Sequence, residues 1–315
     1  MRLASYRQAG RTRVGGVIGE GEAIIDLARA YGHLLRDRGE SEAADIAAAE
    51  LPGDLVRILL RPAGIETARR AFEHGAALDP EDARREGVLV GSAEVSLLPP
   101  VPNPRKIVCV ARNYAEHARE AGVTVSEIPI LFARFPATLV AHGDPILRPT
   151  VSDQLDWEGE LAFVIGRGGR HISRADALAH VAGYSIFNDV TVRDYQFRVT
   201  QYTAGKNFSA SGPFGPYLTL ADEIASPSEL ELVTEVSGVE MQRANTAEMI
   251  FDVPTLIEHI SEFIELEAGD VIATGTPAGV GFKRDPPRFL TPGDVVRVSI
   301  TGLGTLENPV MAEQP

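Results

Sequence analysis

The sequence predicts a mixed, β-rich protein in two unequal units: a smaller α+β domain over residues 1–100 and a sheet-dominated domain over 101–315. Three observations predict it. A length of 315 residues exceeds what one small domain needs. The segment Leu97–Arg105, LLPPVPNPR, carries four prolines, which remove backbone donors and fix φ, so it reads as a linker. Beyond Lys106, short β-branched runs alternate with glycine and proline turns, and the strand–helix alternation of a parallel sheet is missing.

In the first unit, strand-like residues around Val14 to Val17 lead into an Ala/Arg-rich stretch from about Ala23 to about Glu73, broken near Gly39 and at Pro52 and Pro62. Leu27, Tyr31, Leu34 and Leu35 fall at helical spacing and predict an amphipathic helix. In the second unit the strand runs are Lys106–Val110, Leu155–Ile165, Tyr184–Phe187, Val271–Thr274 and Val295–Ile300. Ser173 followed by Asp176 is a capping-box signature for a helix up to about His180. Pro254 opens another helix, with Val253, Leu256, Ile257, Ile260 and Ile264 on one stripe. Ser211–Pro216 reads as turn-rich.

Composition excludes several classes of function. Hydrophobic residues make up 44% and charged residues 23%, which suits a globular enzyme and not a disordered chain. A formal net charge of −14 argues against nucleic acid, whose phosphates need a basic face. It leaves room for an anionic substrate, because a bound cation reverses the local field. The single cysteine, Cys109, allows no internal disulfide and sits in an apolar run as a buried hydrophobe. No membrane span or signal peptide is expected, so the cytoplasm is the expected compartment.

Candidate chemistry begins at Asp156-Trp157-Glu158-Gly159-Glu160. Residues two apart in a strand share a face, so Glu158 and Glu160 point the same way. With Cα atoms about 7 Å apart, the two carboxylates repel by roughly 2 kcal/mol at an effective dielectric of 20. A cation between them removes that cost, and Mg²⁺ prefers such hard oxygen ligands. On spacing alone the pair also fits a solvated strand face, since exposed acids are common. Asp189 follows an apolar strand and supplies a third carboxylate; a helix beginning there would stack Arg193 and Gln196 on its side. It also fits an acid favoured by the dipole of a helix N-terminus.

His117 and Glu120 are neighbours if their segment is helical, which suits a base that takes a proton from water; a plain surface pair is the alternative. The remaining histidines, among them His33 and His74, read as surface or packing residues. Lys206, between a glycine and an aromatic stretch, fits either a cation gripping an anion or a solvent lysine. In Gly275-Thr276-Pro277-Ala278-Gly279-Val280-Gly281, backbone amides and the Thr276 hydroxyl could hold a carboxylate, or form only a turn.

Taken in order, NYAEHARE, DWEGELAFVIG, FNDVTVRDYQ, GKNF with GPFGP, and GTPAGVG resemble the fumarylacetoacetate hydrolase family over about Lys106 to Pro309. The resemblance implies a mixed β-sandwich roll assembled as a homodimer, with Mg²⁺, or Mn²⁺ or Ca²⁺, in the site. It places the metal ligands on Glu158, Glu160 and Asp189, a lid His–Glu pair on His117 and Glu120, and the active-site lysine on Lys206. Arg112, Arg193, Gln196 and Thr276 match positions near the substrate, a small 2-oxo acid. Two departures stand out. Ala111 replaces a frequent glycine, and Arg134 replaces a frequent lysine, with a forked donor expected to bear on the substrate's distal group.

The implied reaction is hydrolysis of the C–C bond of an acylpyruvate or a related β-diketo acid. His117, oriented by Glu120, would activate water, and Lys206 would steady the enolate. The same site also suits decarboxylation, hydration or isomerisation of oxaloacetate or a 2-hydroxyhepta-2,4-diene-1,7-dioate. A non-catalytic dimeric binding protein is the rival from another class.

Overall fold

The computed structural model describes residues 1–116 and 126–314. Among them a twelve-stranded sheet runs Leu89–Gly91, Ala23–Asp26, Arg11–Ile18, Arg2–Gln8, Gly212–Leu220, Val181–Asn188, Gly159–Ile165, Val271–Ala273, Ile107–Ala111, Ile130–Arg134, with two short strands paired off this path. Arg2–Gln8 pairs directly with Gly212–Leu220, so strands from both sides of the proline segment share one sheet. A second sheet of five strands packs over it in the order Val239–Asn245, Glu231–Val236, Val295–Ile300, Gly304–Ala312, Ile146–Arg148.

The strand Gly159–Ile165 is buried along its whole length because both of its faces are covered. Leu161, Phe163 and Ile165 face the core under the five-stranded sheet and the helix Val253–Phe263. Ala162 and Val164 face the opposite core, under the N-terminal helices. Alternation between two apolar faces explains why this strand reads as a continuous hydrophobic run. Gly159 is needed for the closure: a Cβ there would come within 2.2 Å of the Thr234 hydroxyl on the covering sheet.

The N-terminal helices form as spaced. Leu27–Asp37 carries Leu27, Ala30, Tyr31 and Leu35 on its buried side, and it packs beside Gly64–Ala77 through Ala30, Ala68 and Ala71. Asp26 caps the first of these helices, accepting from the Arg29 amide at 2.9 Å. It also accepts from the Tyr6 hydroxyl at 2.7 Å and from Arg13 at 2.9 Å while fully buried. Burial and the adjacent Asp26 push the Tyr6 hydroxyl up, so it stays a donor.

Three expectations are corrected. Leu155–Ile165 is not one strand: Leu155–Asp156 pairs with Thr191–Val192, and the chain bends at Trp157-Glu158 before Gly159–Ile165 begins. Ser211–Pro216 is not a loop but opens the nine-residue buried strand Gly212–Leu220. Its Pro216 falls where the register with Val181–Asn188 shifts, between Tyr184 and Ile186, and a missing N–H is tolerated there. Ser173 and Asp176 do bond each other, but only a 3₁₀ turn, Ala177–His180, follows. No helix among the described residues is long and apolar enough to cross a membrane.

Asp26→Ala removes the cap and leaves the buried Tyr6 hydroxyl and the part-buried Arg13 without their acceptor. The expected loss is about 3 kcal/mol in urea unfolding. Asp26→Asn, which can keep the cap and accept from Tyr6, is expected to lose about half as much; equal losses would mean that the cap is not what matters.

Candidate metal centre

Register builds the centre. Gly159 pairs with Asn188 and Glu160 with Phe187, so the residues flanking Gly159 lie beside Asp189, which follows the partner strand. The Asp189 amide donates to the Glu158 carbonyl at 2.9 Å, and the Glu158 amide donates to the Asn188 side chain at 3.0 Å. Glu158, Glu160 and Asp189 are 5%, 1% and 0% exposed. One carboxylate oxygen from each lies within 4.8 Å of the other two. The solvated-face alternative for this pair of glutamates is thereby excluded.

Three cations surround these acids. Lys206 Nζ donates to Glu158 Oε2 at 2.7 Å and to Asp189 Oδ2 at 2.6 Å. Arg193 bridges Asp156 at 2.8 Å and Glu158 at 2.7 Å. Arg134 donates to Asp189 at 2.5 Å, to the Val190 carbonyl at 3.2 Å and to Ser211 at 2.7 Å. With Asp156 included, four buried carboxylates face three buried cations, so the group is negative by one charge.

The excess falls on Glu160. Its hydrogen bond comes from the Gly275 amide at 2.9 Å, and no cation pairs with it among the described residues. Burial, then the charges of Asp189 and Glu158, hold its carboxyl well above the usual range. Lys206 goes the other way. Burial alone would lower it, but Asp189 and Glu158 outweigh that and raise it, so it remains an ammonium.

A divalent cation fits this donor set. Three hard oxygen donors from rigid backbone converge with a charge deficit, which matches the oxygen preference of Mg²⁺ or Mn²⁺. Glu158, Glu160 and Asp189 would hold the ion.

Above the centre is a cavity of about 270 Å³ whose walls include Arg112, Phe132, Glu158, Arg193, Gln196, Lys206, Thr276, Phe282 and Lys283. Arg193 stacks 4.3 Å from the centre of the Phe282 ring, and its buried Nη2 has no hydrogen-bond partner among the described residues. Arg112 holds a left-handed backbone, φ +59°, a strained geometry that recurs at functional sites. A larger cavity of about 550 Å³ near Arg7, Asp54 and Arg105 contains no comparable convergence of acids.

The structure thus brings Arg112, Arg193, Gln196, Lys206 and Thr276 to one pocket. Three site expectations change. Arg134 does not reach the pocket: its side chain is 0% exposed and is spent on Asp189, so it orients a ligand residue instead of a substrate. The Thr276 hydroxyl already donates to the Gly159 carbonyl at 2.9 Å and accepts from Gln242 at 2.8 Å. The glycine loop does hold a carboxylate, but it is the protein's own Glu160. Nor does a helix start at Asp189, because Thr191–Val192 is a strand and the helix is Arg193–Gln196. His117 and Glu120 lie outside the described residues.

Sequence reasoning missed Asp156, Asn113 and Gln242. Asp156 accepts from Arg193 and from the Gly281 and Phe282 amides, which fixes the pocket's far wall. The alternation Asp156, Glu158, Glu160 was its signal. Asn113 ties Thr274 to Phe251, and Gln242 ties Gly159 to Thr276; both depend on long-range pairing that no local pattern reports.

Glu160→Gln keeps the Gly275 hydrogen bond and removes the excess charge. Thermal unfolding without added metal is expected to be unchanged or raised, while calorimetry with Mn²⁺ shows affinity weakened at least about 10-fold. Unaltered Mn²⁺ affinity would remove Glu160 from the ligand set.

Residues 106–311 match the family described as Fumarylacetoacetate (FAA) hydrolase C-terminal. Oxaloacetate tautomerase YisK of Bacillus subtilis (strain 168) is 39% identical over 315 aligned residues, covering 98% of this chain and 100% of that protein. The mitochondrial oxaloacetate tautomerase fahd2 of Xenopus laevis is 44% identical over 225 residues, 71% of this chain and 70% of that one. Among solved structures, fumarylacetoacetate hydrolase (EaFAH) from psychrophilic Exiguobacterium antarcticum superposes with a TM-score of 0.78 at 35% identity, over 99% of this chain and 100% of that one. A maleylpyruvate hydrolase from Sphingobium sp. SYK-6, in complex with manganese (II) ion and pyruvate, gives 0.72 at 29% identity over 100% of both chains. These relatives are enzymes, divided between tautomerases and hydrolases. The five ordered motifs, the fold they build and these relatives agree: the chain belongs to the fumarylacetoacetate hydrolase family.

Proposed function

We propose that this protein is a divalent-metal-dependent enzyme that interconverts the enol and keto forms of a short 2-oxo dicarboxylic acid such as oxaloacetate. The observation that carries this reading is the conjunction of the Glu158–Glu160–Asp189 cluster with a cavity of only about 270 Å³ walled by Arg112, Arg193, Lys206 and Lys283. That volume lies at the small end for ligand pockets, and the walls are basic inside an acidic protein. Both features favour a small dianion. The end-to-end likeness to the Bacillus subtilis oxaloacetate tautomerase supports the same substrate.

Bound by the three carboxylates, Mg²⁺ or Mn²⁺ would supply Lewis acidity toward a 2-oxo carboxylate. The chain's own residues then do the following. Arg193 is fixed by Asp156, Glu158 and Gln196, so its unpartnered Nη2 can donate to a substrate carboxylate without reorganisation. Lys206 donates toward oxygen and stabilises charge on the 2-oxygen, while solvent water takes the proton from that oxygen and delivers one to C3. Arg112 and Lys283 stand where a distal carboxylate would lie.

Hydrolysis of an acylpyruvate is the second reading. The likeness to the Sphingobium maleylpyruvate hydrolase along the whole chain favours it, as do His117 and Glu120 in the sequence. In it His117 takes a proton from water, which attacks the distal carbonyl. Under either reading the working form is a homodimer, which light scattering of the purified protein would check, placed in the cytoplasm, which cell fractionation would check.

The two readings separate in one set of assays. Ultraviolet absorbance should show Mn²⁺- or Mg²⁺-dependent decay of enol-oxaloacetate that chelator abolishes, with turnover of maleylpyruvate at least about 100-fold lower. Lys206→Met is expected to lower kcat at least about 100-fold, the usual worth of an oxyanion donor. His117→Ala is expected to leave tautomerisation within about threefold. If hydrolysis is the reaction, His117→Ala instead costs about 100-fold or more, as loss of a general base does. Full activity in metal-stripped protein would end both readings.

A further inference from the structure

The N-terminal helices carry a second cluster of metal-binding type, remote in sequence from the acidic centre. His33 and Asp37 lie one turn apart on Leu27–Asp37, and His74 lies on the neighbouring helix Gly64–Ala77. The two helices meet closely at Gly75, where a Cβ would stand 3.0 Å from the Cβ of Ala30, and that approach brings the imidazoles together. His33 Nδ1 lies 2.9 Å from His74 Nε2, and Asp37 Oδ2 lies 3.3 Å from the former and 3.6 Å from the latter.

These three atoms form a triangle small enough to surround one ion. Ligands about 2.0–2.1 Å from a metal stand about 3.0 Å apart at right angles and about 3.3 Å apart in a tetrahedron. The observed edges bracket those values. A hydrogen bond between two neutral imidazoles would satisfy one edge with one proton and leave Asp37 competing for the same nitrogens; a cation satisfies all three edges. The other nitrogen of His33 faces Glu86 at 3.8 Å, and Arg36 anchors Glu86 at 2.7 Å. A carboxylate behind a ligating histidine is the usual outer support of such sites. The histidine side chains are 19% exposed and Asp37 is 54% exposed, so a hydrated ion can reach them.

We infer that His33, Asp37 and His74 form a site for a transition-metal ion of the Zn²⁺, Co²⁺ or Ni²⁺ class, clipping the first N-terminal helix to the helix Gly64–Ala77. Two imidazoles and one carboxylate favour these ions over Mg²⁺, whereas the all-oxygen centre favours Mg²⁺ or Mn²⁺. The protein therefore holds two metal sites of opposite preference, one for chemistry and one for the helical layer.

Calorimetric titration of metal-stripped protein with Zn²⁺ tests this. His74→Gln is expected to lower the stoichiometry by one Zn²⁺ per chain, both in the wild-type background and in Glu160→Gln, where the acidic centre is impaired. Zn²⁺ is also expected to raise the Tm of Glu160→Gln by about 3 °C or more, and not that of the double variant. Mg²⁺-dependent turnover of His74→Gln should match wild type. Should His74→Gln fold poorly, the exposed Asp37→Asn is expected to weaken the same site at least about 10-fold. Equal Zn²⁺ stoichiometry with and without His74, or equal affinity with and without Asp37, overturns the site.

Discussion

Four carboxylates buried beside one another constrain everything else in this protein. Side chains of like charge repel strongly once water is excluded, and a buried carboxylate without a partner is among the costliest features a fold can hold. Here the cost is offset by three buried cations in fixed positions: Arg134 at Asp189, Arg193 between Asp156 and Glu158, and Lys206 between Glu158 and Asp189. Among the described residues, Glu160 keeps only a backbone amide. With its carboxylates ionised the group carries more negative than positive charge, so it is arranged to accept a cation, which is a statement about binding before it is one about stability.

The fold meets this constraint with backbone instead of flexible loops. Glu160 lies within a strand covered on both faces, Glu158 immediately precedes that strand, and Asp189 follows its hydrogen-bonded neighbour. Gly159 lets the second sheet close over the strand between the two glutamates, and Gly275, at φ +96°, turns its amide toward Glu160. Gln242 joins the covering sheet to Gly159 and to Thr276, the residue after Gly275. Ligands held this way need little reorganisation when they bind an ion, which is the condition for a preorganised electrostatic site.

Much of this was legible in the sequence, and the limits have physical causes. Period-two spacing identified Glu158 and Glu160, because side-chain direction in a strand is a local property. The helix Val253–Phe263 and the pairing of an apolar stripe with Pro254 were legible for the same reason. Gly212–Leu220 was not, since glycine and proline read as a turn, and only its position between two strands makes it the middle of a sheet. Arg134 was placed at the substrate because its charge was visible and its depth was not. The His33–His74 pair, 41 positions apart, reads only as surface or packing residues in the sequence, because the contact belongs to the meeting of two helices and not to either segment.

The same geometry bears on why one family carries tautomerases and hydrolases. On the proposed reading, a centre of three carboxylates, a lysine and a fixed arginine would stabilise an enolate whatever is done with it next. Lys206 serves both readings alike and so cannot be the group that chooses. Nor can Arg134, which touches no pocket surface. What distinguishes breaking a C–C bond from moving a proton is a water made nucleophilic beside the distal carbonyl. The residues suited to that task are His117 and Glu120, which lie outside the described residues. On the proposed reading the rigid centre fixes the class of substrate, and the choice of reaction rests with whether His117 and Glu120 act on water.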